Sequence, residues 1–305
     1  MLAVPDGSTG VLGNNAKIRP NIAKKLLSLQ DMKKLQTILR PAALAAAVLL
    51  GCAGARAARI DSLSFVSPLL PEPMAVRVIV PDSPVDSIPT VYLLNGYGGD
   101  CTQWTTTCPE LPAYADAYGM LMVLPSGMES WYVDSPVRPD VQMASFITKK
   151  LIPEIDRRYH SDPSRRAITG LSMGGHGALT LAMDNPGLFV AAGSTSGGVD
   201  LRPFTDRWGL VGLLGEPGEN PLVWEKVSAV ARVDSLREKA PDLRIIFDCG
   251  TDDFFAGVND ELHSRMLAAE VPHDYISRPG RHSHAYWRNS IAYHLLFFDR
   301  LFREK

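Results

Sequence analysis

Residues 170–179 read GLSMGGHGAL: Ser172 stands between Gly170 and Gly174, with a strand-like run, RRAITG, before it and a helix-like run, ALTLAMDN, after it. A strand that turns sharply into a helix holds its turn residue in strained backbone geometry and lifts that side chain above the sheet. Each glycine of G-x-S-x-G removes a Cβ where strand and helix approach too closely for one. The serine also falls at the start of a helix, whose amides and dipole favour negative charge. The chemistry this suggests is nucleophilic attack. A serine hydroxyl attacks only when a base takes its proton, so a histidine and an orienting carboxylate are required elsewhere in the chain.

Both follow in order. Asp253 lies in DCGTDDFF, just after the strand-like LRIIFDC, and His282 lies in PGRHSHAYW, after the next strand-like run. Loops at the carboxyl ends of parallel strands are where such groups gather. His284 competes with His282, and Asp252 and Asp248 compete with Asp253. A developing oxyanion needs two donors. The backbone amide of Met173, beside the nucleophile, is one; the amide of Tyr97, in LLNGYGGD, is the other. The H-x-H pair of His282 and His284 has no further ligand-spaced residues around it, so no metal is expected, and no cofactor. His176 reads as a packing residue at the helix start, and His160, His263, His273 and His294 as surface or helix-end residues. Trp131 and Tyr132, in SGMESWYVDSP, and Trp287 are candidates for lining a substrate pocket.

The elements that must position these groups alternate. Apolar, β-branched runs at 74–80, 90–95, 119–125, 165–171, in FVAAGSTS, in LRIIFDC and in HDYISRP read as strands. Helical spacing occupies 141–159, where a proline falls within the helix, the stretch from Gly174, DELHSRMLAAE, and the C-terminus from about 285. Such alternation implies a mostly parallel sheet with helices on both faces, and 58–305 fits one domain. The Gly- and Pro-rich segment RWGLVGLLGEPGENPLVW reads as an insertion over the sheet edge.

Of the 305 residues 46% are hydrophobic and 21% charged, enough for one large core. A net charge of -2 without a basic stripe argues against a nucleic-acid partner. Residues 1–57 read as a leader. From Met32 a basic start (Lys33, Lys34, Arg40) precedes the apolar AALAAAVLL and then small residues, the pattern of an export signal, so that translation is expected to start at Met32. The apolar run is shorter than the ~20 residues a membrane helix needs. Cleavage falls either before Cys52, in the lipobox-like LLGC, which would attach a lipid anchor, or after Ala57. Removing residues 1–57 takes 8 Lys/Arg and 2 Asp/Glu from the chain's 31 and 33, and the remainder carries -8. An exported, periplasmic, cell-surface or extracellular protein permits a disulfide between Cys101 and Cys108, while Cys249 reads as an inert buried thiol.

With YLLNGYGGD followed by Trp104, GLSMGGHGAL, DCGTDDF and PGRHSHAYW spread over roughly 74–300, the chain resembles the secreted branch of the esterase D family, which has the α/β-hydrolase fold. That family includes short-chain esterases, feruloyl and acetylxylan esterases and S-formylglutathione hydrolases. The resemblance implies Ser172 as nucleophile, His282 as general base and then acid, and Asp253 as its orienting carboxylate. Asn95 departs from the histidine that relatives often carry, and His284 from their aromatic. The expected partner is a small-molecule or polysaccharide ester. Acyl transfer to an alcohol, a glutathione thioesterase activity and an inactive glycan-binding protein on the same fold are the alternatives.

Overall fold

The computed structural model describes residues 57–82 and 87–304. The expected signal segment, with Cys52, lies outside the described residues. Eight strands form one sheet: β1 (Arg59–Phe65), β2 (Met74–Val80), β3 (Ile88–Leu94), β4 (Leu121–Pro125), β5 (Ser161–Gly170), β6 (Ala191–Thr195), β7 (Arg244–Gly250) and β8 (Asp274–Arg278). Their order is β1-β2-β4-β3-β5-β6-β7-β8. β1 and β2 pair antiparallel, as do β2 and β4, and the other pairings are parallel. This is the α/β-hydrolase arrangement.

The helices are α1 (Gln103–Thr107), α2 (Leu111–Tyr118), α3 (Met143–Phe146), α4 (Ile152–Tyr159), α5 (Met173–Asp184), α6 (Leu210–Leu214), α7 (Pro221–Lys226), α8 (Ala229–Lys239), α9 (Ala256–Ala268) and α10 (His284–Arg303). Strand alternation divides the core between two layers. Tyr92 and Leu94 of β3 and Leu121 and Val123 of β4 face the layer holding α5, α8 and α9. Val91 and Leu93, with Met122 and Leu124, face the layer holding α1, α2 and α10. Buried on both faces, these strands carry no polar alternation, which explains their continuous apolar runs.

Two expectations shift. The helix expected over 141–159 is interrupted by a π turn at Ile147–Leu151, between α3 and α4. Pro153 has no N–H for the helical ladder, and the wide turn before it takes up the mismatch. The Gly- and Pro-rich insertion does not lie over a sheet edge. It leads through α6 and α7 into α8, which packs on α5 and α9, and its Trp208 reaches the cleft above the strand ends.

Candidate active site

Ser172 joins β5 to α5 with φ 56° and ψ -118°. A non-glycine residue there carries of order 1–3 kcal/mol of strain, which the surroundings must hold. They do so by close backbone contact. A Cβ on Gly170 would lie 2.4 Å from the Gly174 carbonyl, and one on Gly174 would lie 2.3 Å from the Leu94 carbonyl oxygen. The Ser172 N–H donates to Thr195 O at 3.0 Å, and the Ser172 carbonyl accepts from the His176 N–H at 3.1 Å.

The structure brings Ser172, His282 and Asp253 together. His282 Nε2 lies 3.0 Å from Ser172 Oγ, and His282 Nδ1 lies 2.9 and 3.1 Å from the two Asp253 oxygens. A carboxylate only accepts, so the proton belongs on Nδ1 and the Nε2 lone pair faces the serine hydroxyl. Asp253 Oδ1 also accepts the Phe255 N–H at 2.9 Å, and the Asp253 side chain is fully buried. Phe254 lies tilted against the imidazole at a centroid distance of 4.3 Å, and Trp287 meets it edge-on at 5.0 Å. The competitors fall elsewhere: His284 Nδ1 is 2.7 Å from Thr107 Oγ1, Asp252 is exposed, and Asp248 lies beneath the strand ends against His294.

Two backbone amides beside Ser172 are free. Among the described residues, neither the Met173 nor the Tyr97 N–H donates to a protein group. The loop carrying Tyr97 is held on either side. The Gly96 N–H donates to Gln103 Oε1 at 2.7 Å, and Asn95 Nδ2 donates to Gly96 O at 2.8 Å. Asn95 Oδ1 in turn accepts the Gly127 N–H at 2.7 Å and the Tyr132 hydroxyl at 3.0 Å. Asn95 therefore serves as the hub of this loop.

That brace corrects the expectation for Tyr132. It does not line the cleft: its hydroxyl is turned onto Asn95, and burial pushes its phenol well above the usual range. Trp131 and Tyr132 are successive residues with positive φ, 49° and 57°, and this reversal sends one ring toward the cleft and the other toward Asn95. The cleft beside Ser172 measures about 190 Å³. Tyr97, Trp131, Trp208, Phe254 and Trp287 wall it. A larger cavity of about 740 Å³, lined by Pro163, Phe189 and Arg244 among others, contains none of the three reactive groups.

The Cys101–Cys108 disulfide is not formed; both are free thiols. Helix α1 separates them, and seven residues at helical rise put the Cα atoms about 10 Å apart, beyond a disulfide's reach. Cys108 instead donates to Glu110 Oε2 at 3.4 Å, and burial together with that carboxylate pushes its thiol up to about 11. His294 is likewise no helix-end surface residue, since it is fully buried. His263 and His273 pair with one another, Nδ1 to Nε2 at 2.8 Å.

The family model described as "Putative esterase" matches residues 67–298. The chain belongs to this family. Within reach of this esterase-family chain, the S-formylglutathione hydrolase of Bos taurus is 32% identical over 174 residues, 54% of this chain and 60% of that protein. The acetyl esterase of Caldicellulosiruptor saccharolyticus is 26% identical over 258 residues, 76% of this chain and 95% of that protein. The chain spans 47% to 60% of the length of the S-formylglutathione hydrolases it matches. A solved ferulic acid esterase shares the fold with a TM-score of 0.69 at 24% identity, covering 80% of this chain and 98% of its own.

Three contributors were not singled out from the sequence. Gln103 is an ordinary polar residue in CTQWTTTC, and only the fold reveals that its amide meets the Gly96 N–H. Phe254 is one of two successive phenylalanines in DCGTDDFF, and only the fold reveals that its ring lies against the His282 imidazole. Trp208 sits in the Gly- and Pro-rich insertion, where a Trp–Gly pair with both φ values positive, 49° and 65°, marks a turn that throws the indole inward.

Proposed function

We propose that this family member is an exported serine carboxylesterase that hydrolyses short-chain acyl esters, or acetyl and feruloyl esters of polysaccharides, through an acyl-enzyme on Ser172. The observation that carries the reading is the hydrogen-bonded chain Ser172–His282–Asp253 beside two free amides. His282 Nε2 takes the hydroxyl proton as Ser172 Oγ adds to the ester carbonyl, and the Met173 and Tyr97 amides donate to the resulting oxyanion. Collapse of that adduct breaks the carbon–oxygen bond to the alcohol, which leaves with the proton from His282. Water then attacks the acyl-enzyme, giving its proton to His282, and the acid departs as Ser172 recovers its hydrogen. Asp253 holds the imidazole in the tautomer both half-reactions need.

The names of the acetyl esterase and ferulic acid esterase relatives supply the substrate classes, and the flat aromatic walls of the cleft suit a short or planar acyl group better than a long chain. Export rests on the leader sequence from Met32, and an exported enzyme would meet decorated polysaccharides rather than cytosolic glutathione thioesters. The test is hydrolysis of aryl acetate, butyrate and octanoate and of methyl ferulate by residues 58–305, beside Ser172→Ala. The expected result is turnover that falls with acyl length and disappears in the variant. Equal rates for parent and variant would overturn the assignment of Ser172.

A further inference from the structure

A second chain of hydroxyl, imidazole and carboxylate lies beneath the strand ends, outside the cleft. Asp248, near the end of β7, is 1% exposed. Its Oδ2 accepts from His294 Nε2 at 2.8 Å, and its Oδ1 accepts from Thr195 Oγ1 at 2.9 Å and Ser290 Oγ at 2.5 Å. His294 Nδ1 is 2.7 Å from Thr169 Oγ1, and His294 is wholly buried. Arg278 donates to Ser290 Oγ at 2.5 Å and stands 3.8 Å from the carboxylate. The hydrogen bonds set the tautomer: the carboxylate accepts from three donors, so His294 carries its proton on Nε2 and accepts a hydrogen bond from the Thr169 hydroxyl at Nδ1.

The partners share one property. Thr169 lies on β5, three residues before Ser172, and Thr195 supplies the carbonyl that accepts the Ser172 N–H. Asp248 stands five residues before Asp253. Arg278 ends β8, four residues before His282, while Ser290 and His294 lie on α10, which starts two residues after it. Every segment that delivers a reactive side chain is thus tied to one carboxylate. The tie continues in the backbone: the Asp252 N–H donates to Gly280 O at 2.9 Å, joining the loop of the acid to the loop of the base.

We propose that Asp248, with His294 and Thr169, acts as a positioning residue that sets the mutual registry of Ser172, Asp253 and His282. It touches neither substrate nor reacting atoms. Both Asp248 oxygens and both His294 nitrogens are hydrogen-bonded, which makes this centre of the network rigid, while Arg278 Nη1 at its margin has no protein partner among the described residues. Misplacement of a reacting group by about 1 Å costs roughly 100-fold in rate. The inference rests on the esterase reading only for its kinetic arm.

The experiment compares Asp248→Asn, Thr169→Val and the conservative Thr169→Ser with the parent, using p-nitrophenyl acetate and active sites counted by a fluorophosphonate. In Asp248→Asn and Thr169→Val, kcat per counted site should fall roughly 10- to 100-fold with KM within about 2-fold, and Thr169→Ser should recover most of the loss. The proton resonance of the His282 Nδ1–H should move or broaden in the first two and stay in the third. If Asp248→Asn does not fold, the Thr169 pair decides. Should the parent not turn over the ester, the esterase reading fails, and the resonance alone decides the positioning role. Parent kcat per site and an unmoved resonance in Thr169→Val, with only a lowered melting temperature, would overturn the proposal.

Discussion

Two chains of hydroxyl, imidazole and carboxylate stand above and below the strand ends of this protein, and only one meets a cleft. In the upper one, Ser172 sits at positive φ on a strained turn, His282 is partly exposed, and the amides of Met173 and Tyr97 are free. In the lower one, Thr169 belongs to a regular strand, His294 is fully enclosed, and the carboxylate accepts from three donors. The acid also binds the opposite ring nitrogen: Nδ1 in His282, Nε2 in His294. The same three chemical types therefore make a reactive array or a cross-link according to backbone strain, access and free donors nearby. Composition alone does not distinguish them.

That contrast can be broken from the upper side first. Ser172→Ala should lower turnover by roughly 10⁴- to 10⁶-fold, and Asp253→Asn by about 10⁴-fold, in steady-state assays on counted protein. Loosening the donor loop should cost less. Tyr132→Phe, which removes the hydroxyl on Asn95 but keeps the ring, should lower kcat about 10-fold, and Asn95→Ala up to about 100-fold, with KM little changed. A thionoester, whose sulfur is a poorer acceptor, should lose less than the matching ester in both variants.

The stability predictions are smaller in their reach. His176, enclosed at the start of α5 with Nε2 on Val227 O at 2.7 Å, is held by burial down at about 4, against 6.5 for a free histidine. The unfolded chain binds that proton first, so its contribution is fully present above pH 6.5 and is lost as the pH falls toward 4, on the order of 3 kcal/mol. Urea midpoints measured across this range should fall more steeply for the parent than for His176→Gln. Smallest of all, reducing agent should leave the melting temperature unchanged, because Cys101 and Cys108 are separate thiols. A drop of several degrees would restore the bridge.

Much of the upper array was legible because it depends on local rules. Gly170 and Gly174 report a close approach that only small residues allow, and the order Ser172, Asp253, His282 follows strands whose apolar runs mark them as buried. What remained hidden depends on contacts between distant segments. Nothing around Tyr132 foretells that a positive φ at two successive residues turns its ring away from the cleft and onto Asn95. His294 lies in a helical run with ordinary spacing, and its burial depends on Asp248, 46 residues earlier. Cys101 and Cys108 suggested a bridge by proximity in sequence, but a helix between them sets their separation.

The most direct test of the central claim is mass spectrometry of the protein after treatment with a fluorophosphonate, followed by peptide mapping. The account predicts one adduct per chain, on Ser172, formed rapidly in the parent and slowed by Asp253→Asn. An adduct on another residue, or labelling that persists in Ser172→Ala, would contradict it.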